Sequence, residues 1–226
     1  MRLCLPILAL LIASPVFGQG LTVTLSQTDG TGRKSPEILQ AERSRARLDL
    51  PNGAKLLYDS ATRKVQVMLP GSPTYTELTP QLVQILSAGL RGQPAPGPVT
   101  YRSTGMSRVG QWPCTTYDGM RGSEKVVELC AAEGNAIGLS AMDFEIVRQA
   151  IDAVKGAIPP GVLDAVPIYG TTAVQGYAGF PVRRTTFVNG KADSTVELVE
   201  VKRGAIPEAI FAVPVAPAVP NANPPR

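Results

Sequence analysis

Histidine is absent from the 226 residues of this chain, and its absence limits the chemistry that the chain can do. Without imidazole there is no serine–histidine–aspartate or cysteine–histidine nucleophile, no base that titrates near neutral pH and no conventional zinc site. Catalysis would have to rest on carboxylates, lysine or tyrosine, and no set of these is recognisable by its roles. We therefore expect a non-enzymatic protein with no catalytic residues, no metal and no cofactor.

Two cysteines have the spacing for a covalent link. Cys114 and Cys130 flank turn residues centred on Gly122, which predicts a β-hairpin with the cysteines directly opposite each other. Opposed residues in antiparallel strands lie within the distance that a disulfide can close. The same register places Tyr117 opposite Val127. The prediction is a disulfide worth about 3 kcal/mol. Two free thiols or a redox pair are the alternatives, and the cysteines lack the close spacing of a redox pair.

The start of the chain has the three parts of a secretory signal peptide. Arg2 supplies a positive charge, residues 3–16 are mostly apolar, and Val16-Phe17-Gly18 provides a cleavage site. Residues 1–18 are thus a predicted signal peptide cleaved after Gly18, and we expect the mature protein in a bacterial periplasm, where disulfides form. Cys4 lacks the apolar stretch that a lipoprotein signal needs before its cysteine. No stretch is long enough to span a bilayer, so we expect no transmembrane segment.

Alternating apolar and polar residues predict that most of the mature chain is antiparallel β-sheet, interrupted by two helices. Thr79-Pro80 begins the first helix, which ends at Gly92, and residues 93–98 form a linker. Ser140 begins the second helix, with Asp143 near its free N–H groups. We expect one β-rich domain over residues 19–213 and a disordered Pro/Ala-rich tail over 214–226. The predicted strands cover residues 21–26, 43–50, 55–59, 64–69, 74–78, 99–103, 110–117, 125–132, 171–174, 180–188 and 194–202.

The apolar stripe of the second helix is the candidate ligand-binding surface. Its members, together with a tryptophan on the cysteine hairpin, are Phe144, Val147, Ile151, Val154 and Trp112. Such a stripe must be buried against something, and core packing or a membrane-surface role are the alternatives to ligand contact. For Trp112 the alternative is a structural wall for the hairpin.

Three arginines and a glycine-rich run have two interpretations each. Arg43, Arg45 and Arg47 alternate along one strand and form either the solvated face of a sheet or a surface for anionic lipid headgroups or an acidic partner. Gly30 to Ser35 has phosphate-loop residues without the phosphate-loop spacing, so a hairpin turn is favoured. The net charge of +4 is dispersed and aromatic residues are few, so we expect no nucleic-acid partner.

Several segments resemble a family of secreted bacterial domains of uncharacterised function. These segments are Tyr58–Asp59, Thr74–Leu78, Gly110–Tyr117, Val127–Cys130, Leu139–Asp143 and Ile206–Pro214. More distantly, the chain is similar to the periplasmic lipoprotein-carrier fold. That resemblance implies a mainly β (α+β) fold, in which a curved antiparallel sheet holds two helices on its concave face around an apolar cavity.

These observations favour a periplasmic, non-enzymatic binding or carrier protein for an apolar ligand, lipid or lipidated partner. A structural or protein-interaction module of the cell envelope is the alternative, and a carboxylate-based hydrolase is a third class. An apolar hollow between sheet and helices would favour the carrier, a packed core the interaction module, and paired carboxylates in a cleft the hydrolase.

Overall fold

The period-2 alternation of the sequence builds eleven strands in the described part of the chain. The computed structural model describes residues 20–86, 98–157 and 176–213. The predicted signal peptide, strand 171–174, tail 214–226 and most of the linker lie outside these residues. The strands are β1 Gly20–Asp29, β2 Lys34–Ala41, β3 Arg45–Asp49, β4 Lys55–Asp59, β5 Lys64–Met68, β6 Thr76–Glu77, β7 Thr100–Val109, β8 Trp112–Arg121, β9 Glu124–Ala132, β10 Phe180–Val188 and β11 Lys191–Gly204.

All eleven strands belong to one open antiparallel sheet with the order β6-β5-β4-β3-β2-β1-β11-β10-β9-β8-β7. The described chain starts in the middle of the sheet, steps outward to β6, resumes at the opposite edge with β7 and steps inward to β11. Strands β1 and β11 then pair with each other, from Gly20 with Gly204 to Asp29 with Ser194. Strands from before and after the predicted linker thus belong to one antiparallel sheet.

In the described ranges two α-helices accompany the sheet, α1 over Pro80–Leu86 and α2 over Ala141–Ala157. The backbone N–H of Leu82 donates to Thr79 Oγ1 at 3.1 Å, which confirms the predicted cap. The predicted end of the first helix at Gly92 lies outside the described residues. No helix in the described part of the chain is both long and apolar enough to cross a membrane.

One strand, β2, has no counterpart among the predicted strands. Pro36 interrupts its pattern, and Glu37 occupies a position that faces the core. A proline removes a backbone donor and a buried carboxylate is rare, so the segment lacks the sequence pattern of a strand. Leu39 and Ala41 are nevertheless buried beside it, and β2 pairs with both β1 and β3.

The predicted register of the cysteine hairpin is wrong by two residues. Tyr117 lies opposite Leu129, and Cys130 lies opposite Thr116. The strands are joined by a tight turn with Gly122 at φ 60°, and a bulge between Gly119 and Met120 adds a further offset. The predicted register assumed that residues pair one to one outward from the turn, and such an assumption cannot account for a bulge.

The predicted disulfide is nevertheless confirmed. Cys114 and Cys130 are bonded with their Cα atoms 5.3 Å apart, and both side chains are buried. The bond joins β8 to β9 near the end of their ladder and faces the main core.

Helix α2 packs on the half of the sheet that contains β2, β3 and β5. Ile146 and Val147 are buried in the main apolar cluster together with Leu39, Ala46 and Tyr58. Because α2 follows β9 in the chain, this contact links the half of the sheet formed by β7 to β11 to the half formed by β1 to β6. The helix residues packed partly buried against the same cluster are Phe144, Ala150, Ala153 and Val154.

A smaller apolar cluster lies on the half of the sheet that carries β7 to β9. Val127 and Leu129 of β9 are buried there beneath Tyr177, which precedes β10. The Tyr101 ring of β7 meets the Tyr177 ring edge-on, with centroids 4.8 Å apart. Burial raises the pKa of Tyr101 to about 12.

Candidate functional site

The first turn of α2 is fixed to the sheet by a cluster of polar contacts. The backbone N–H and the hydroxyl of Ser140 donate to Asp143 Oδ2 at 2.6 and 2.7 Å. Arg203 of β11 donates to the same oxygen at 2.5 Å and to the Gly138 carbonyl at 2.8 Å. Burial would raise the pKa of Asp143, but the bonds from Arg203 and Ser140 outweigh it and hold this pKa below its usual value. The predicted helix start at Ser140 is confirmed.

A groove lies between α2 and the turn that joins β2 to β3. Its volume is about 490 Å³, which is in the usual range of small-molecule sites. Buried Ala41 and Ile146 form its apolar floor, and Met142, which is 72% exposed, stands at its rim. The polar residues that complete the lining are Glu42, Arg43, Ser140, Asp143, Glu145, Gln149 and Arg203. We call this the α2–β2 groove.

A second groove of about 540 Å³ runs along the other side of α2. Leu139 and Phe144 supply its apolar lining, and Ser140 and Glu145 border both grooves. The N-terminal half of α2 is thus a ridge with an open groove on each side.

The predicted ligand-binding residues fall into two groups. Phe144 lines the second groove and packs near Phe180, with ring centroids 6.4 Å apart. Val147, 7% exposed, is buried in the core, and Val154 and Trp112 pack against that core without lining either groove. The Ile151 side chain lies outside the described residues. Ligand contact by these five residues stays a prediction.

Arg45 and Arg47 form neither a solvated face of the sheet nor a free cationic surface. Residues 208–211, near the C-terminal end of the described chain, cover them. Arg45 forms an ion pair with Glu208 through both carboxylate oxygens and lies 4.7 Å from the centre of the Phe211 ring. Arg47 donates to the Ile210 carbonyl at 2.7 Å and to Asp49 at 2.7 and 2.9 Å. Phe211 is 4% exposed and packs against Arg45 of β3.

Arg43 differs from the other two arginines. It is exposed, borders the α2–β2 groove and forms no ion pair with any residue in the described ranges. Glu208 and Phe211 are an acidic and an aromatic residue one helical turn apart. This spacing is the sequence feature from which a contact between the C-terminal segment and Arg45 could have been predicted.

Sequence reasoning also missed a buried carboxylate. Glu37 of β2 is 8% exposed, and burial raises its pKa, an effect that the charge of Arg184 partly opposes. In the described ranges, no three acidic or cysteine side chains are grouped so that they could hold a metal ion.

Comparisons with known proteins do not assign the chain to a family. No protein-family model matches it, and no curated protein matches its sequence. Solved structures to which it is similar include an uncharacterised conserved protein from Thermus thermophilus, at 13% identity over 86% of this chain and 85% of that one, with a TM-score of 0.45. The MucA/MucB complex of Pseudomonas aeruginosa matches at 13% identity over 87% of this chain and 56% of that one, with a TM-score of 0.39. A LolA superfamily protein from Nitrosomonas europaea matches at 12% identity over 88% and 91%, with a TM-score of 0.28.

Proposed function

We propose that this protein is a non-enzymatic binding protein of the bacterial cell envelope that holds an apolar or lipidic ligand beside α2. The observation that carries the proposal is the α2–β2 groove, whose apolar lining combines buried Ala41 and Ile146 with the exposed Met142. Arg43 lies next to them as a cation without an ion pair in the described ranges. An amphiphile with an acyl chain and an anionic head group has matching chemistry. The signal-peptide pattern and the disulfide support a place in an oxidising compartment.

The sheet and α2 each contribute side chains to the proposed binding site. The sheet provides a fixed wall through Ala41 at the end of β2, and α2 provides Met142, whose flexible thioether adapts to irregular apolar groups. The contacts of Ser140, Asp143 and Arg203 hold the start of α2 in place beside the groove. A carrier-like arrangement, with α2 covering the concave side of a curved sheet, would bring the predicted stripe residues into the same ligand space.

Titration with a fluorescent fatty acid tests the proposal directly. Met142→Ala and Arg43→Ala remove exposed groove side chains, so we expect each to weaken binding about three- to tenfold with an unchanged thermal midpoint. The control is Val188→Ala, which shortens another exposed apolar side chain, outside the residues that line the groove. Absence of saturable binding at micromolar fatty acid or phospholipid would contradict the proposal.

A protein-interaction module is the second candidate. The packed state of the core favours it, because Ile146 and Val147 are already buried against the sheet. Native mass spectrometry of protein purified from the periplasm separates the candidates: a co-purifying lipid supports the binding protein, whereas a stoichiometric protein partner without lipid supports the interaction module.

A further inference from the structure

Strand β7 forms one edge of the sheet and is exposed along most of its length. Within the described residues it pairs only with β8, and residues 102–108 are all exposed. Met106 is 83% exposed, the highest value among the large apolar side chains described. The opposite edge is the two-residue strand β6, which offers little backbone for pairing. An exposed edge of this length can accept another strand through its free backbone groups.

The exposed edge is basic. No aspartate or glutamate occurs between Glu77 and Asp118, whereas β7 carries Arg102 and Arg108. Neither arginine forms an ion pair with a residue in the described ranges. Asp118 lies opposite Arg102 in the ladder but pairs with Lys125 at 2.6 Å. The edge therefore has positive charge that the described chain does not neutralise.

A bulge limits which part of β7 can pair with an added strand. The register with β8 shifts between Ser103 and Gly105, and Gly105 has a φ of 145° that favours glycine. Beyond the bulge, Met106 and Arg108 are two residues apart and share one face of the strand. The regular edge is therefore the segment 105–109, with an apolar and a cationic side chain side by side.

We propose that the outer edge of β7 at residues 105–109 binds an extended, acidic segment of another polypeptide by strand addition. The added strand places a carboxylate beside Arg108 and an apolar side chain beside Met106, while its backbone pairs with β7. A second copy of this chain fits less well, because pairing residues 105–109 of two copies adds an arginine from each copy to one seam and supplies no carboxylate.

The test uses isotope-labelled full chain and two blocked octapeptides. In both peptides threonine occupies every other position, and the positions between them, which share one face of a strand, alternate valine with glutamate in one peptide and valine with lysine in the other. We expect the glutamate peptide to shift the amide resonances of residues 105–109 saturably, with an affinity between micromolar and millimolar. Arg108→Glu should weaken this binding about fivefold and should make the lysine peptide the better ligand. Lys191→Glu, a charge reversal at an exposed residue next to the β10–β11 turn, is the matched control and should change neither affinity.

Three results would overturn the proposal. The first is no saturable shift in β7 at about millimolar glutamate peptide. The second is an equal loss of affinity in Arg108→Glu and Lys191→Glu, which would show unspecific charge attraction. The third is a dimer in analytical ultracentrifugation that Arg108→Glu dissociates, because the occupant would then be a second copy.

Discussion

Glu37 is a carboxylate at a position where its charge costs stability. Its neighbours on β2, Leu39 and Ala41, belong to the main apolar cluster, and burial raises the pKa of Glu37 above its usual 4.5. A carboxyl group whose pKa is raised by folding binds its proton more tightly in the folded state. Its contribution to stability is therefore complete below the unfolded pKa and is lost as the pH rises through the folded pKa.

Glu37→Gln should therefore increase the free energy of unfolding at pH 7, because the amide cannot ionise. Below about pH 4 the carboxyl is protonated in both states, and the difference from the wild type should shrink. Urea unfolding between about pH 4 and 8 measures this. Glu197→Gln, the same substitution at an exposed position of β11, is the matched control. A less stable Glu37→Gln at pH 7 would show that Arg184 stabilises the carboxylate more than burial destabilises it.

The disulfide makes a second prediction for single residues. Alkylation of the denatured, non-reduced protein should label neither Cys114 nor Cys130. Cys114→Ala should lower the free energy of unfolding by about 2–4 kcal/mol, because the bond closes a loop with a sequence separation of 16 residues. The double variant with both cysteines replaced should be no less stable than the single variant. Two labelled cysteines per mature chain would contradict the bond.

At the level of elements, α2 joins the two halves of the molecule. Its buried residues Ile146 and Val147 contact the half formed by β1 to β6, and its first turn is fixed to β11 through Asp143 and Arg203. Asp143 both caps the helix and receives the arginine, so its carboxylate contributes to helix formation and to docking at once.

Asp143→Ala should destabilise the protein by about 1–2 kcal/mol, since the cap and the Arg203 contact are lost together. Asp152→Ala is the matched control on the same helix. Asp152 is exposed and pairs with Arg148 at 3.0 Å, and such surface pairs contribute little, so its loss should cost under about 0.5 kcal/mol. Equal effects of the two substitutions in urea unfolding would show that the cluster at Ser140 is not an anchor.

At the scale of the whole molecule, the segment 205–213 follows β11 and contacts strand β3. Phe211 is buried near Arg45, and the Arg47 guanidinium donates to the Ile210 carbonyl. These contacts cover part of β3 with residues from the other end of the described chain. Residues 208–211 therefore pack on the sheet as part of its fold.

Two truncations locate the end of the domain. Deletion of residues 214–226 should shift the thermal midpoint by no more than about 2 °C, since their Pro/Ala-rich composition cannot build a core. Deletion of residues 207–226 removes Glu208 and Phe211 as well and should lower the midpoint by about 6–12 °C, corresponding to about 3 kcal/mol. If the shorter deletion alone lowers the midpoint strongly, the domain boundary at residue 213 is wrong.

Most of the local structure could be predicted from the order of the residues. Alternation indicated the strands around Val23 and Val196, and turn residues indicated the hairpins at Gly122 and Asn189. The cap at Ser140 and the pairing of the two cysteines also followed from sequence. These features depend on residues within a few positions of each other, or on a single available partner, so the pattern alone specifies them.

The contacts between residues far apart in the sequence, in contrast, could not be predicted and became known only from the folded structure. Arg45 and Glu208 are 163 residues apart, and either could have paired with many other charged residues. Glu37 became a buried residue only because β2 lies between β1 and β3 in the sheet. The α2–β2 groove exists because a helix that follows β9 packs on the opposite half of the sheet. Such contacts depend on the path of the whole chain. The type of a side chain determines which partners it can bind, and the fold determines which of those partners lies close to it.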